Sequence, residues 1–266
     1  MKILVTFAVE PEFAPWRGRH RFSAVRKEKV ELHEAEMHGA EITVLLTGIG
    51  PLVSRRNVTE AFVSGVFEQH SFDVCISSGL AGALRGNWAI GDILVPRSVK
   101  SDTSADREVG AQFLPDATML EAAEKFGARV VDRCLTSDRM ISSAAEKSSL
   151  GAEADAVEME SYGILSEASA WGARGVCVRA IGDVASEDLP INFSKTIDEQ
   201  GDVSYMRVLG ELARNPRAMP HLVRFGMQSR TAAQALADFL DRFVPELAAP
   251  SRQGIGAGAV AQVKKP

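Results

Sequence analysis

Residues 156–188 read AVEMESYGILSEASAWGARGVCVRAIGDVASED. This stretch decides the fold. A short strand or turn leads into a helix over about residues 159–171, where Met159, Tyr162, Leu165 and Ala168 recur every three residues and approximate an amphipathic stripe. Gly172 and Gly175 stop that helix. Residues 175–181 (GVCVRAI) are β-branched and mostly apolar, the pattern of a parallel strand covered on both faces. The strand ends in Gly182-Asp183, and an acidic loop follows.

Carboxylates therefore stand at two informative places. Glu158 and Glu160 mark a helix start, and Asp183 lies just past the carboxyl end of a strand, where open α/β sheets bind ligands. Two readings stay open on these residues alone. Glu in a first turn is favoured by the helix macrodipole without any further role. Asp after a strand also serves as a turn former or N-cap. The alternative is a pair of functional carboxylates.

The two segments VEMES and VRAIGDVASED, at this spacing, resemble the purine nucleoside phosphorylase and nucleosidase superfamily. The similarity is greatest to its methylthioadenosine/S-adenosylhomocysteine nucleosidase branch, whose pattern is VEME, a helix, then VRAISD. The resemblance implies a three-layer α/β fold with a mixed, partly barrel-like central sheet flanked by helices. It implies that Met159 and Glu160 hold the ribose, with Glu160 accepting its hydroxyl hydrogens, and that Asp183 is the acid serving the purine ring.

Composition bounds the rest. The 266 residues are 45% hydrophobic and 24% charged, enough for one sizeable α/β core, read here as one domain over residues 1–247. A net charge of −5 supplies no global basic field for nucleic acid. Cys75, Cys134 and Cys177 lie in or near apolar runs without metal-ligand spacing and read as buried thiols of a reducing compartment. The short apolar run before Glu10 is neither a signal sequence nor a membrane span, so a cytoplasmic protein is expected. A homo-oligomer is a separate expectation.

Along the chain, residues 2–9 read as the first strand, followed at once by Glu10-Pro11-Glu12. Both glutamates have a bland reading as solvated residues of a helix start. In the family a comparable acidic run ends in the Glu that activates water, and Glu12 occupies that position. Pro11 departs from the family pattern but suits the first turn of a helix. Residues 17–41 carry Arg17, Arg19, Arg21, Arg26, Lys27 and Lys29, which read either as a phosphate or membrane-surface patch or as an exposed turn and edge strand in which charge blunts edge pairing.

Residues 41–46 read as a strand, followed by Thr47-Gly48-Ile49-Gly50-Pro51. The two glycines permit a tight turn and Pro51 suits the start of a helix over about 52–68. A lone GxG is not a dinucleotide fingerprint. By resemblance, Ile49 lines the pocket around the substituent on the ribose 5′ carbon.

Residues 73–77 read as a third strand. The small residues Ser78-Gly79-Leu80-Ala81-Gly82-Ala83 after it permit close approach of backbone to ligand, or simply tight packing. They are similar to the family's TGSAGGL, so Gly79, Ala81 and Gly82 enter the substrate site by resemblance. The family Ser is Leu80 here. Ser77 stands where phosphorylases of the superfamily place an Arg. Both differences favour water over phosphate as nucleophile, with Arg17 or Arg19 the remaining phosphate contacts.

Residues 98–115 are polar and aperiodic and read as a loop over the site. A helix over 117–127 and a strand over 130–135 follow. By resemblance, Met140 and Ile141 lie against the purine, the Met140 thioether replacing a ring; by residue type alone Met140 reads as core. A helix over 144–151 returns the chain to the opening stretch.

Residues 189–227 form an extended segment with helical pieces at 203–214. In it Met206, Leu209, Met219, Val223, Phe225 and Met227 interleave with Arg207, Arg214, Arg217 and Arg224. A helical layer with a solvated face is one reading. An apolar channel with a basic rim, in peripheral contact with a membrane surface, is the other. The segment is similar to the tail of hopanoid-associated nucleosidase/phosphorylase proteins, which implies adenosylhopane as substrate. A final amphipathic helix covers 229–243, and residues 248–266 have the composition of a disordered tail.

These readings converge on cleavage of the N-glycosidic bond of an adenine nucleoside carrying a 5′ substituent. Asp183 is the acid, Glu12 the base for water, and no metal or organic cofactor is needed. The rival readings are a phosphate-dependent phosphorylase and a non-catalytic nucleoside-binding module.

Overall fold

β1 (Lys2–Phe7) is buried from Ile3 onward, so it needs cover on both faces and sits inside a sheet. It pairs in parallel with β4 (Ala40–Leu46) on one side and β5 (Val74–Ala83) on the other. The computed structural model describes residues 1–27, 30–67, 71–103, 111–190 and 216–249.

Beyond β4 lie β3 (Val30–Met37) and the edge strand β2 (Ser23–Lys27). β3 and β4 form a hairpin through His38-Gly39, both at positive φ (50° and 80°), the geometry of a type I′ turn. β2 is mostly exposed, and Arg26 and Lys27 charge its edge. In the other direction β5 pairs in parallel with β10 (Arg174–Asp183) and antiparallel with β9 (Ala156–Glu158). β10 pairs with β6 (Ile93–Ser101), β6 with β8 (Arg129–Thr136) and β8 with β9. The strands β5, β10, β6, β8 and β9 thus close a ring, so the sheet is mixed and partly barrel-like. The short β7 (Gln112–Phe113) adds to β6.

Helices cover both faces. α1 (Glu10–Arg17), α3 (Ala117–Lys125) and α6 (Met219–Ala248) share one cluster with Ile3, Val5 and Phe7 of β1, to which they contribute Phe13, Trp16, Met119, Phe239 and Phe243. α2 (Pro51–Val63) and α5 (Ser161–Ala170) meet on the opposite face, around Leu4, Phe62, Ile164 and Leu165. Each such side chain, fully withdrawn from water, contributes roughly 1.5–3 kcal/mol. The short α4 (Ala144–Leu150) lies between β8 and β9 in the chain. Cys75, Cys134 and Cys177 are buried and unbridged.

Several sequence expectations need correction. The small-residue run 78–83 does not follow the strand read over 73–77 but forms the second half of β5, in register with β10 as far as Gly82↔Asp183. At Gly79 and Gly82 a side chain would meet Arg179 and Asp183. Residues 98–101 are strand, not loop. Val99 is fully buried, and the polar neighbour Ser98 spends its hydroxyl on the Asp132 carbonyl at 3.1 Å. The final helix begins at Met219, ten residues before 229, because Pro220 falls in its first turn, where a proline is tolerated. α2 ends at Val63 and β1 at Phe7, each shorter than expected. The helical pieces at 203–214 and the tail over 250–266 lie outside the described residues.

Candidate active site

The parallel strands β1, β4, β5 and β10 bring their carboxyl ends to one side of the sheet. Pairing continues past β1 and β4: Thr47 and Gly48 donate to the carbonyls of Phe7 and Ala8, both at 2.9 Å. The loop carrying Ile49 therefore runs alongside the start of α1.

Glu12 lies in the first turn of α1, with Pro11 pre-setting the backbone. One of its oxygens accepts from Ala8 N–H and the other from Leu80 N–H, both at 3.1 Å. Burial pushes its carboxyl up from the usual range, against the pull of Arg179 and those backbone donors. Gly79, at φ 148°, lies beneath it. A Cβ there would stand 2.2 Å from Arg179 Nη1 and 3.1 Å from Glu12 Oε2. A glycine is what lets the guanidinium and the carboxylate close on one point.

Arg179, fully buried in β10, is the hub. Its Nη2 donates to Glu158 Oε2 at 2.6 Å, Ser161 Oγ at 2.8 Å and Ser77 Oγ at 3.3 Å, and lies 3.8 Å from Glu160 Oε2. Glu158 also accepts from the backbone N–H groups of Glu160 and Ser161, at 2.9 and 2.7 Å, and from the Thr136 hydroxyl. It is thus a structural carboxylate that caps α5 and holds the guanidinium. Glu160 accepts from Gly50 N–H at 2.9 Å. Gly48 and Gly50 both take positive φ (75° and 100°), so the GxG turn exists to aim that N–H. Burial first, then the Glu158 charge, push Glu160 up to about 8, against Arg179 and Gly50 N–H.

Asp183 ends β10, opposite Gly82, where a Cβ would stand 3.0 Å from its Oδ2. Burial raises its pKa, and the ammonium of Lys147, ion-paired to Oδ1, works against that rise.

The other sequence candidates are placed as follows. Ile49 and Met159 are half-buried beside Gly50 and Glu160, and Met140 is half-buried on the bend after β8. Ile141 is buried with Leu84, Leu135 and Val157, and Ala81 packs with Leu94 and Ile181 inside the ring of strands. The two arginines considered for phosphate are engaged elsewhere. Arg17 pairs with Glu10 at 2.7 Å, and Arg19 contacts Asp241 at 2.8 Å and Asp238 at 2.5 Å on α6. A cavity of about 500 Å³ lies beside the end of β4, lined by Glu10, Arg17, His33, Asn57 and Glu60, but neither Glu12 nor Asp183 faces it.

Residues 2–213 match the sequence profile of the phosphorylase superfamily. The chain belongs to this family. It is similar to the 5′-methylthioadenosine/S-adenosylhomocysteine nucleosidase of Shewanella halifaxensis, 27% identical over 232 residues that span 80% of this chain and 99% of the relative. The fold matches the Helicobacter pylori 5′-methylthioadenosine/S-adenosylhomocysteine nucleosidase solved with butyl-thio-DADMe-Immucillin-A (20% identity, TM-score 0.69, 92% of this chain and 98% of the other). It also matches the native futalosine hydrolase of H. pylori (20% identity, TM-score 0.68, 92% and 98%).

Around these candidate residues, sequence reasoning missed Arg179 and Lys147, and it gave Glu158 no role. A signal existed for Arg179: a lone cation in the middle of an apolar strand covered on both faces must be paired. Glu158 was visible as a carboxylate at the same helix start. Nothing in AAEKSSL marks Lys147 as buried, because α4 shows no clear amphipathic pattern.

Proposed function

We propose that this protein hydrolyses the N-glycosidic bond of an adenine nucleoside substituted at the 5′ carbon. One observation carries the reading: Glu12, Glu158 and Glu160 gather around a single buried cation, Arg179. Such a cluster is short of positive charge, and Glu160 answers by holding its proton up to about 8. A ribose ring acquiring oxocarbenium character supplies the missing charge, so the cluster favours the transition state over the neutral substrate.

In this reading Glu160 faces the ribose hydroxyls, and Glu12, raised by burial toward the range of a useful base, takes the proton of the attacking water. Asp183 gives a proton to purine N7, so that adenine leaves neutral. Met159, Met140, Ile141 and the backbone of Gly79, Ala81 and Gly82 bound the nucleoside, and Ile49 its 5′ end. Water is favoured over phosphate because Arg17 and Arg19 are occupied by carboxylates and Ser77 holds no charge.

The 5′ group in this proposal is bulky and apolar, of the polycyclic lipid type carried by adenosylhopane. The first turns of α6 expose Met219, Val223 and Met227 at four-residue spacing, flanked by Arg217, Arg224 and Arg230. Arg224 ties that end of the helix to Glu187, at 2.6 Å, in the loop that follows Asp183. A peripheral contact with lipid accompanies this reading, although no helix among the described residues is long and apolar enough to cross a membrane.

The test is to incubate the protein with adenosine, methylthioadenosine, adenosylhomocysteine and a lipid-linked adenosine, with and without phosphate, and to measure free adenine. Phosphate-independent release, fastest from the lipid-linked compound, is expected. A ribose 1-phosphate product makes the protein a phosphorylase. Tight binding without release makes it a nucleoside-binding module, and fastest release from methylthioadenosine removes the lipid.

A further inference from the structure

Lys147 is the single fully buried lysine among the described residues, and it is the buried residue of α4. An ammonium has three N–H groups. Here all have acceptors: Asp183 Oδ1, the Val184 carbonyl at 3.1 Å and the Glu187 carbonyl at 3.0 Å. A buried cation is expensive unless paired and fully hydrogen-bonded, and this one is both. Every acceptor belongs to Asp183 or to the loop directly after it.

That loop is fastened at two further points, one to the first residue of α4 and one just before its N-cap. Ala144 N–H donates to Asp188 Oδ1 at 2.7 Å, and Leu189 N–H donates to the Ser142 carbonyl at 2.8 Å. Lys147 therefore sits at the centre of a unit made from α4 and residues 183–189. Gly82 lies against the whole carboxyl group: a Cβ there would stand 3.0 Å from Oδ2 and 3.2 Å from Oδ1. Oδ1 accepts from the lysine, and among the described residues no hydrogen bond ties down Oδ2.

We propose that Lys147 is a positioning residue for the reaction: by holding Asp183 Oδ1 it presents Oδ2 to the leaving base, and its charge sets the upper pH limit at which that carboxyl still carries a proton to give. This rests on the reading of Asp183 as the acid. Lys147 does not touch the substrate. The proton that leaves Oδ2 goes to N7 as the electron pair of the C1′–N9 bond withdraws onto the purine, and Lys147 takes no part in that transfer.

The other charges facing this carboxyl are few. Glu187, in its own loop, pushes the pKa of Asp183 upward, and Arg224 of α6 neutralises Glu187. Glu146 of α4 is turned to the surface and paired with Arg139, and Asp188 is engaged by the Ala144 N–H. Lys147 is thus the dominant cation. Its removal leaves burial unopposed, so the carboxyl stays protonated to higher pH.

The experiment is the pH profile of kcat/KM for adenine release by native protein, Lys147→Met, Lys147→Gln and Lys147→Arg. In the neutral variants the alkaline limb is expected to move up by about one pH unit or more, the size of shift a lost opposite charge produces. Their kcat falls by at least about tenfold, as the carboxyl loses its alignment. Lys147→Arg keeps the charge, so its limb stays at the native position even if kcat drops. A merely structural role lowers activity without moving the limb, and an unmoved limb in a folded neutral variant overturns the proposal. Failure of both neutral variants to fold overturns it as well, since it assigns Lys147 to the fold. Asp183→Asn, measured alongside, separates the two levels. If it retains normal turnover, the reading of Asp183 is wrong. If it is inactive while the Lys147 limb stays put, only the lysine inference fails.

Discussion

Arg179 donates to Glu158 at 2.6 Å and reaches toward Glu160 at 3.8 Å, so the two carboxylates sit in different surroundings although they are two residues apart. Glu158 has the full ion pair and two backbone donors, whereas Glu160 has one backbone donor and a more distant guanidinium. Replacing Arg179 by Met strands Glu158 as an unpaired buried charge. The expected loss is about 3–5 kcal/mol in urea unfolding, with adenine release abolished; a loss below about 1 kcal/mol would show that Glu158 finds another partner. Glu160 gives a prediction with a definite sign. Its carboxyl titrates near 4.5 when unperturbed and is pushed up to about 8 in the fold, chiefly by burial. Between those values the folded state binds more protons than the unfolded one, so this residue's contribution to stability falls as pH rises through the window. Glu160→Gln removes the fall. Relative to native protein its melting temperature should climb progressively from pH 4.5 to pH 8, and a constant difference across that range would contradict the assignment. For the chemistry itself, Asp183→Asn should abolish adenine release while nucleoside binding survives. Glu12→Gln should lose roughly 10²–10⁴-fold in kcat, the range of general-base catalysis. A change in binding alone would make Glu12 a substrate contact.

At the scale of elements, the site depends on how α1 is held. α1 is short, with a second proline, Pro15, inside it, and its own hydrogen bonds do little to fix its direction. Its seat comes from α6. Asp241 accepts from Trp16 Nε1 at 2.9 Å and from Arg19 at 2.8 Å, and lies 2.6 Å from His20 Nε2. Burial alone would raise the Asp241 pKa, but its hydrogen bonds from His20, Arg19 and Trp16 hold it below the usual carboxylate range. Asp241→Asn keeps the shape and loses the charge. A stability loss of about 1–3 kcal/mol is expected, as for other charge-assisted hydrogen bonds. A fall in kcat should accompany it, because the helix that carries Glu12 is no longer clamped. Unchanged kcat with reduced stability would mean that the β1–α1 junction positions Glu12 by itself.

For the whole molecule, closure of the sheet does what no single element can. Glu12, Gly79, Glu160, Arg179 and Asp183 come from β1–α1, β5, β9–α5 and β10, and the parallel ladders bring them to one end. α6 packs against β10, β5 and β6, and its first turns leave Met219, Val223 and Met227 about half exposed. If that face receives the 5′ substituent, changing all three to Ser leaves hydrolysis of methylthioadenosine intact. It should slow the lipid-linked substrate by at least about tenfold, since each buried apolar side chain is worth roughly 1.5–3 kcal/mol. Equal effects on both substrates would move the lipid site elsewhere.

Local pattern was enough for most elements. The apolar runs of β1, β4 and β10 and the helix after Val157 were legible because period and turn residues are properties of neighbouring positions. Glu12, Glu160 and Asp183 stood out as carboxylates at helix starts and a strand end, but their roles came only from the family resemblance. The GxG turn was legible as a turn but not as the device that aims Gly50 N–H at Glu160. What only the tertiary structure decided are relations between distant residues: the ring closed by β5, β10, β6, β8 and β9, the Arg179 hub, and the Lys147 ammonium behind Asp183. A buried charge costs free energy wherever it stands in the chain, and its compensation comes from whichever groups folding places beside it. Arg179 and Glu158 are 21 residues apart, and Lys147 and Asp183 are 36 apart. No local period records such pairings, because the physics that selects them is contact in space.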